Sequence, residues 1–504
     1  MLKRRSATIL AAVLALAAAP PAAIAQIPSW GIDTFQAPAD ARWSPIAIQD
    51  VEAAYQLLRD NHPGAAPELH DLEFQNRLND AHARALKRAR TVTTYQGYLF
   101  VLAGFATDMG DKHIWSRSTF VVNLPRWTGI IISKRGDAWI VTDTESDQSV
   151  LLGASLISCD GEGVQELARR NLGGFHAVWS VGAQQIQNAP WLLIDEGNPF
   201  IRRPKTCVFE HDAARQSVTL NWQRIKRENL LPRIQKAIGA GAAGFGVRRV
   251  GEGYWIALQD LQSDAAREVV KAVEDQKIAL REAPFVVLDL RGNRGGSSVM
   301  GRQIAASLFG SAAADARLAP MLDHCGGPDG AWRASEGNIK QLEFLQTTPL
   351  VLRGGPELKA MVQDTLDNAR DARAQGKEFS GALSCPAAAP TPPSAQPPSL
   401  MKGRLILLTD NLCFSSCLAV ADDFRMLGAY HIGQTTDAAT RFVDVREQYL
   451  PSGYSMFSTL ESVDPSAPSQ VGPFEPALPY DGDIADTKAL EKWVVAVAIP
   501  AARR

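Results

Sequence analysis

A chain of 504 residues is longer than one ordinary domain, so two to four are expected. Its composition, 46% hydrophobic and 21% charged, is that of a globular protein. A formal net charge of −2 points away from nucleic acid and from anionic membrane surfaces as partners.

The N-terminus sets the compartment. Lys3, Arg4 and Arg5 precede the apolar run Ala7–Ala19, which is short for a membrane span, and Ala23-Ile24-Ala25 is a small-residue cleavage pattern. Residues 1–25 therefore read as a secretory signal peptide, with the mature chain starting near Gln26, exported and expected in the periplasm. An uncleaved apolar run would instead tether the protein, and no later run is long enough to span a bilayer. Six cysteines suit an oxidising compartment.

From Ser44 to about Ala106 the apolar positions are helical. Val51, Tyr55 and Leu58 share one face, Asn61–Glu68 interrupts it, Phe74, Leu78 and His82 resume it, and Tyr95–Phe105 follows. His113 comes just after Gly110-Asp111, where this module, residues 26–118, ends; a lone histidine there reads first as structural. Residues 119–225 are strand-rich: Ile130–Ile132 and Trp139–Val141 flank the turn Lys134–Asp137. Leu151–Leu167 is a strand, an Asp160-Gly161 turn and a helix start, and Cys207–Glu210 with Val218–Trp222 reads as a hairpin.

The remainder, 226–504, alternates strand and helix. Gly251–Leu261 is a strand, Ala265–Arg281 a long amphipathic helix, Phe285–Leu290 a buried strand ending in the turn Arg291-Gly-Asn-Arg-Gly-Gly296, and Val299–Leu308 a helix. Leu405–Leu408 is a second buried strand. After the turn Thr409-Asp410-Asn411 comes a helix with Val420, Phe424 and Leu427 on one face, stopped at Gly428. This alternation predicts an α/β fold with a parallel sheet and crossover helices.

Residues 312–400 interrupt the alternation as an insertion, with helices near Trp332–Gln346 and Pro356–Ala374 and a Pro-rich linker over Cys385–Ser399. A Cys325–Cys385 disulfide would staple its ends. Cys413 and Cys417, one helical turn apart, would make a strained bridge. As metal ligands they lack a second pair at zinc-like spacing, so no metal is expected. The C-terminal part is strand- and turn-rich around Asp444–Gly453 and ends in a helix near Thr487–Val497.

Ser415 and Ser416 fall where a strand turns into a helix. A hydroxyl there meets the positive end of the helix dipole, and the neighbouring amides are free to hold an anion. That is the setting of an activated serine nucleophile, and equally of a plain capping serine. The turn at Gly292–Gly296 lacks both the dinucleotide-binding and the Walker pattern. It offers backbone amides at a strand end, which suits an oxyanion.

Three segments together carry a resemblance. VVLDLRGNRGG resembles the D-L-R-x-N-x-G-G signature of the C-terminal processing (tail-specific) and tricorn-core serine peptidases. TDNLCFSSCLAVADDFRMLGAYHIG is similar to that family's nucleophile segment, and GDKHI to its tricorn-type G-D-x-H segment. The three occur in the family's order and cover most of 45–495. GASLISCDGEGVQEL resembles the family's PDZ-like module.

The resemblance implies a Clp protease–crotonase-like catalytic core with an N-terminal helical module and a PDZ-like β-module. It implies an acyl-enzyme on Ser415, a peptide or protein substrate, no cofactor, and an oxyanion hole from Ser416 with Gly295 or Gly296. The processing branch uses a lysine base after the nucleophile helix. Here Gly433–Phe442 contains none, and Arg441 cannot serve, so the tricorn-type arrangement with His113 as base is implied. Its third residue is a glutamate, expected at Glu475, with Glu447 and Glu461 as competitors. Leu418 stands where many relatives have Glu. Three other readings remain open at this point: an inactive peptide-binding protein on the same fold, a crotonase-like hydrolase or esterase, and a cysteine peptidase using Cys413 or Cys417.

Overall fold

A computed structural model describes residues 41–502 apart from 121–124, 146–150, 323–330, 354 and 384–396. The expected signal peptide, Cys325 and Cys385, and nearly all of the Pro-rich linker lie outside the described residues. Among those described, no helix is long and apolar enough to cross a membrane. The architecture is mixed α/β, in two compact units.

The N-terminal unit takes in the described residues up to Ile238 together with Glu447–Thr459. It opens with three helices, α1 (Trp43–Asn61), α2 (Leu72–Ala89) and α3 (Tyr95–Asp108). Each of the last two begins on a side-chain cap: Asp71 accepts from Phe74 N, and Thr94 from Gly97 N. Their apolar stripes meet in a common core with Leu58, Leu78, Val101 and Phe105 buried. After α3 the chain makes a short turn and enters β1 (Ser116–Ser118), paired antiparallel with Ser455, Met456 and Phe457.

A six-stranded antiparallel sheet follows in the same unit, built from β2 (Ile130–Arg135), β3 (Ala138–Thr144), β4 (Ser155–Cys159), β5 (Thr206–His211) and β6 (Ala214–Thr219), with Glu162–Gly163 paired on β4. The order β2-β3-β4-β5-β6 closes over Trp139, Leu156, Leu167 and Phe209, all fully buried. Cys159 and Cys207 face each other across β4 and β5 with Cα atoms 4.0 Å apart and form a disulfide.

The C-terminal unit comprises Gly239–Arg446 and the residues from Leu460 onward. Its centre is another six-stranded sheet, in the order β7 (Phe245–Val250), β8 (Gly253–Leu258), β9 (Phe285–Asp289), β10 (Arg404–Thr409), β11 (Tyr430–Gly433) and β12 (Leu478–Pro479). All neighbours from β8 to β12 are parallel; β7 alone is antiparallel.

Strand β9 is buried at every residue, which is why it reads as a continuous apolar run. One face of the sheet is covered by α4 (Asp264–Asp275), α5 (Ser298–Phe309) and α6 (Ser416–Met426), around Val269, Ile304, Val420 and Phe424. The other face carries Val287, Ile406 and Ile432 against Leu490 of the C-terminal helix.

The expected helix Ala265–Arg281 is two pieces. The second, Lys277–Glu282, follows a break at Gln276, where ψ is 9°. Trp332 belongs to a short strand, and the helix expected near it starts at Glu336, capped by Ser335.

Candidate active site

Strand β10 delivers the chain to Asp410, whose buried carboxylate holds two turns at once. Its Oδ2 accepts from Gly292 N at 2.9 Å and its Oδ1 from Leu412 N at 3.0 Å. Burial pushes this carboxyl up to about 7. Beyond it, Cys413 and Cys417 are joined by a disulfide with Cα atoms 5.3 Å apart. The bridge expected to be strained is therefore present. What permits it is the turn between the two cysteines, which is not helical at Ser415.

Ser415 has φ 58° and ψ −132°, a conformation that costs a non-glycine residue roughly 1–3 kcal/mol. It occupies the N-cap position of α6 but makes no capping hydrogen bond. Its hydroxyl is not spent on the helix, as a plain capping serine's would be. Strand, strained turn and helix together lift it to a half-buried position, the way a nucleophile elbow does. The neighbouring Ser416 differs: its hydroxyl donates to Gly296 O at 2.7 Å.

The Gly-rich turn lies against this elbow. A Cβ on Gly295 would meet Ser415 Cβ at 2.8 Å and Ser416 N at 3.0 Å, so only glycine allows the approach. Gly295 donates its amide to Asn293 Oδ1 at 2.9 Å. The amides of Gly296 and Ser416 have no acceptor among the described residues.

Asn293 is fully buried; it donates from Nδ2 to Leu258 O at 2.8 Å, and its carbonyl accepts from Phe414 N at 3.2 Å. At the base of the turn, buried Arg291 forms a fork onto Asp289 and donates to Ile484 O at 2.6 Å. Leu418, the departure noted in the sequence, is buried in the apolar core.

His113 belongs to the N-terminal unit. The turn after α3 passes through Gly110 at φ 77°, then Asp111. Asp111 Oδ1 accepts from His113 N at 2.8 Å and sits 2.9 Å from His113 Nδ1. Ser458 Oγ donates to the His113 carbonyl at 2.7 Å. Both the imidazole and the carboxylate are largely covered, at 11% and 3% side-chain exposure.

Asp111 lies inside the GDKHI segment, yet sequence reasoning passed over it. The signal was an aspartate two positions before a histidine in a glycine-led turn.

The three glutamates weighed as partners for His113 differ in their surroundings. Glu447 is in a fork with Arg117. Glu461 is fully buried 2.9 Å from Arg446, and burial pushes it up to about 8. Glu475 is exposed. Among the described residues no cluster of His, Cys, Asp or Glu could hold a metal ion.

No family model matches the chain, and no curated protein does. Solved structures do. Mature CPAF is 15% identical, with 92% of this chain and 98% of that one aligned at a TM-score of 0.58. Mature CPAF complexed with lactacystin gives the same identity and TM-score, with 92% and 100% covered. The tricorn protease is a looser likeness, 11% identical with a TM-score of 0.37, covering 92% of this chain and 37% of that one. Over nine-tenths of its length, this chain has the fold of mature CPAF.

Proposed function

We propose that the chain is an exported serine peptidase of the C-terminal processing and tricorn-core family, with Ser415 as nucleophile and His113 as general base. The observation that carries this reading is the strained, uncapped Ser415 at the head of α6, with the glycine turn pressed against it.

In the mechanism, His113 takes the Ser415 proton as Oγ attacks a peptide carbonyl. The C–N bond then breaks, the proton passes to the leaving amine, and water hydrolyses the acyl-enzyme by the same route. Of the two glycines weighed for the oxyanion hole, Gly296 is the donor, together with Ser416. The Gly295 amide is already given to Asn293, and Gly295 serves by letting the turn approach. Loss of one such donor typically slows acyl transfer about 100- to 1,000-fold. Glu475 is the glutamate the family likeness offers as a third member. The sheet of 119–225 acts as a PDZ-like module that docks peptide. No metal or organic cofactor enters any step.

The test is labelling of the purified mature chain, starting near Gln26, with a fluorophosphonate probe. Labelling that needs both Ser415 and His113 supports the reading. Labelling lost in Ser415→Ala but kept in His113→Ala overturns the base assignment. A wild type that never labels points to a peptide-binding protein without activity. Turnover of small acyl esters but of no peptide points to an esterase.

A further inference from the structure

We propose that Asp111 is the carboxylate that positions His113 for catalysis. The proposal rests on His113 being the base and names the group through which that base is held.

One oxygen carries the arrangement. Asp111 Oδ1 receives the backbone amide of His113 and faces its Nδ1 at 2.9 Å. An ionised carboxylate only accepts, so the ring must present Nδ1–H to it. Nε2 is then the unprotonated nitrogen, ready to take a proton from a hydroxyl. The backbone bond fixes the carboxylate independently of the ring, so the imidazole is held from an anchored point rather than by a floating side chain. The pair is dry enough for the charge to count: the carboxylate is 3% exposed and the ring 11%. When the imidazole takes the serine proton, the carboxylate 2.9 Å away stabilises the imidazolium.

Other charges around the turn are already engaged. Lys112 donates to Gln187 at 2.6 Å, Arg77 to the Met109 carbonyl, and Asp108 is matched by Arg84 and Arg88. Of the alternative carboxylates, Glu447 and Glu461 have arginine partners and Glu475 is exposed.

The experiment measures the second-order rate of fluorophosphonate labelling for wild type, Asp111→Asn, Asp111→Glu, His113→Ala and the double variant Asp111→Asn/His113→Ala, each with its thermal midpoint. An amide at 111 keeps an oxygen for the His113 backbone N–H and for Nδ1–H, and loses only the charge. The expected result is a loss of roughly 100- to 10,000-fold in Asp111→Asn and partial recovery in Asp111→Glu. Since Asp111 acts through the imidazole, the double variant should label no more slowly than His113→Ala alone.

A further loss on the His113→Ala background overturns the proposal, because Asp111 would then be merely structural. So does an Asp111→Asn variant that labels at the wild-type rate. His113→Ala labelling at the wild-type rate overturns the base assignment itself, and is thereby told apart from failure of Asp111 alone.

Discussion

Replacing Gly295 by alanine should abolish labelling at Ser415 while leaving the chain folded. The added methyl would stand 2.8 Å from Ser415 Cβ and 3.0 Å from both Phe414 O and Ser416 N. Carbon atoms in contact sit about 3.5–4.0 Å apart, so the elbow must retreat by about 1 Å. Two of the three obstructing atoms are backbone, which gives less readily than a side-chain end.

A displacement of that size at a reacting centre costs about 100-fold in rate. Gly295 also sits at φ 100°, which adds roughly 1–3 kcal/mol of backbone strain for alanine. Gly376→Ala isolates that second effect: its φ is 70° and nothing lies within 4 Å of the added carbon. The assay is fluorophosphonate labelling beside urea unfolding. Gly295→Ala should lose more stability than Gly376→Ala, which carries the strain alone, and only Gly295→Ala should lose labelling, by about 100-fold or more. A Gly295→Ala protein that labels within about threefold of Gly376→Ala would refute the argument that this contact shapes the turn at Ser415.

Three further outcomes follow from the same geometry. The sequence separations of the two bridges are 48 and 4. Chain entropy alone then assigns about 4 kcal/mol to Cys159–Cys207 and about 2 kcal/mol to Cys413–Cys417. Removing the shorter bridge as a double serine variant should therefore cost less in unfolding free energy but more in labelling rate, because it spans Ser415.

Asp410 is raised from 3.8 to about 7 by burial. A carboxyl raised on folding contributes stability that is complete below about pH 4 and is lost as the pH climbs to about 7, up to about 4 kcal/mol. Asp410→Asn should accordingly flatten the fall in stability between pH 4 and 8, as read from urea midpoints. Arg291→Met strands the buried carboxylate of Asp289 and should destabilise by about 3–5 kcal/mol, measured by thermal unfolding.

What could be read from sequence was set by local chemistry. The run Leu405–Leu408 and the face Val420, Phe424 and Leu427 locate strand and helix without tertiary knowledge, and a serine between them is thereby located too. The order of strands is another matter. That β8, β9, β10 and β11 lie side by side depends on crossovers of unrelated length, one of them with an inserted segment. Nothing in the residues of β9 names its neighbours.

Cys159 and Cys207 escaped for the same reason, since they face each other only once β4 is known to pair with β5 in that register. Cys413–Cys417 was weighed on helical geometry as a strained bridge, and the bridge is present. The Ser415 backbone leaves the helix between the two cysteines. Asp111 was hidden by its plainness: an aspartate near a histidine becomes an anchor only when the turn bends its carboxylate back onto the ring. The break at Gln276 lies under an unbroken amphipathic pattern and has no residue that marks it.

The turn after β9 is constrained at every residue but one. Arg291, Asn293 and Gly295 point inward, each tied to a strand end or to the elbow, whereas Arg294 between them is exposed. Mutation is therefore graded along six residues: Gly292, at φ 76°, and Gly296, whose added Cβ would meet Leu261 O at 2.4 Å, are closed to change like the other three, while Arg294 can be exchanged without loosening the frame. A lineage, or an experimenter, seeking a new preference in what approaches Ser415 has in position 294 a variable letter set inside a fixed word.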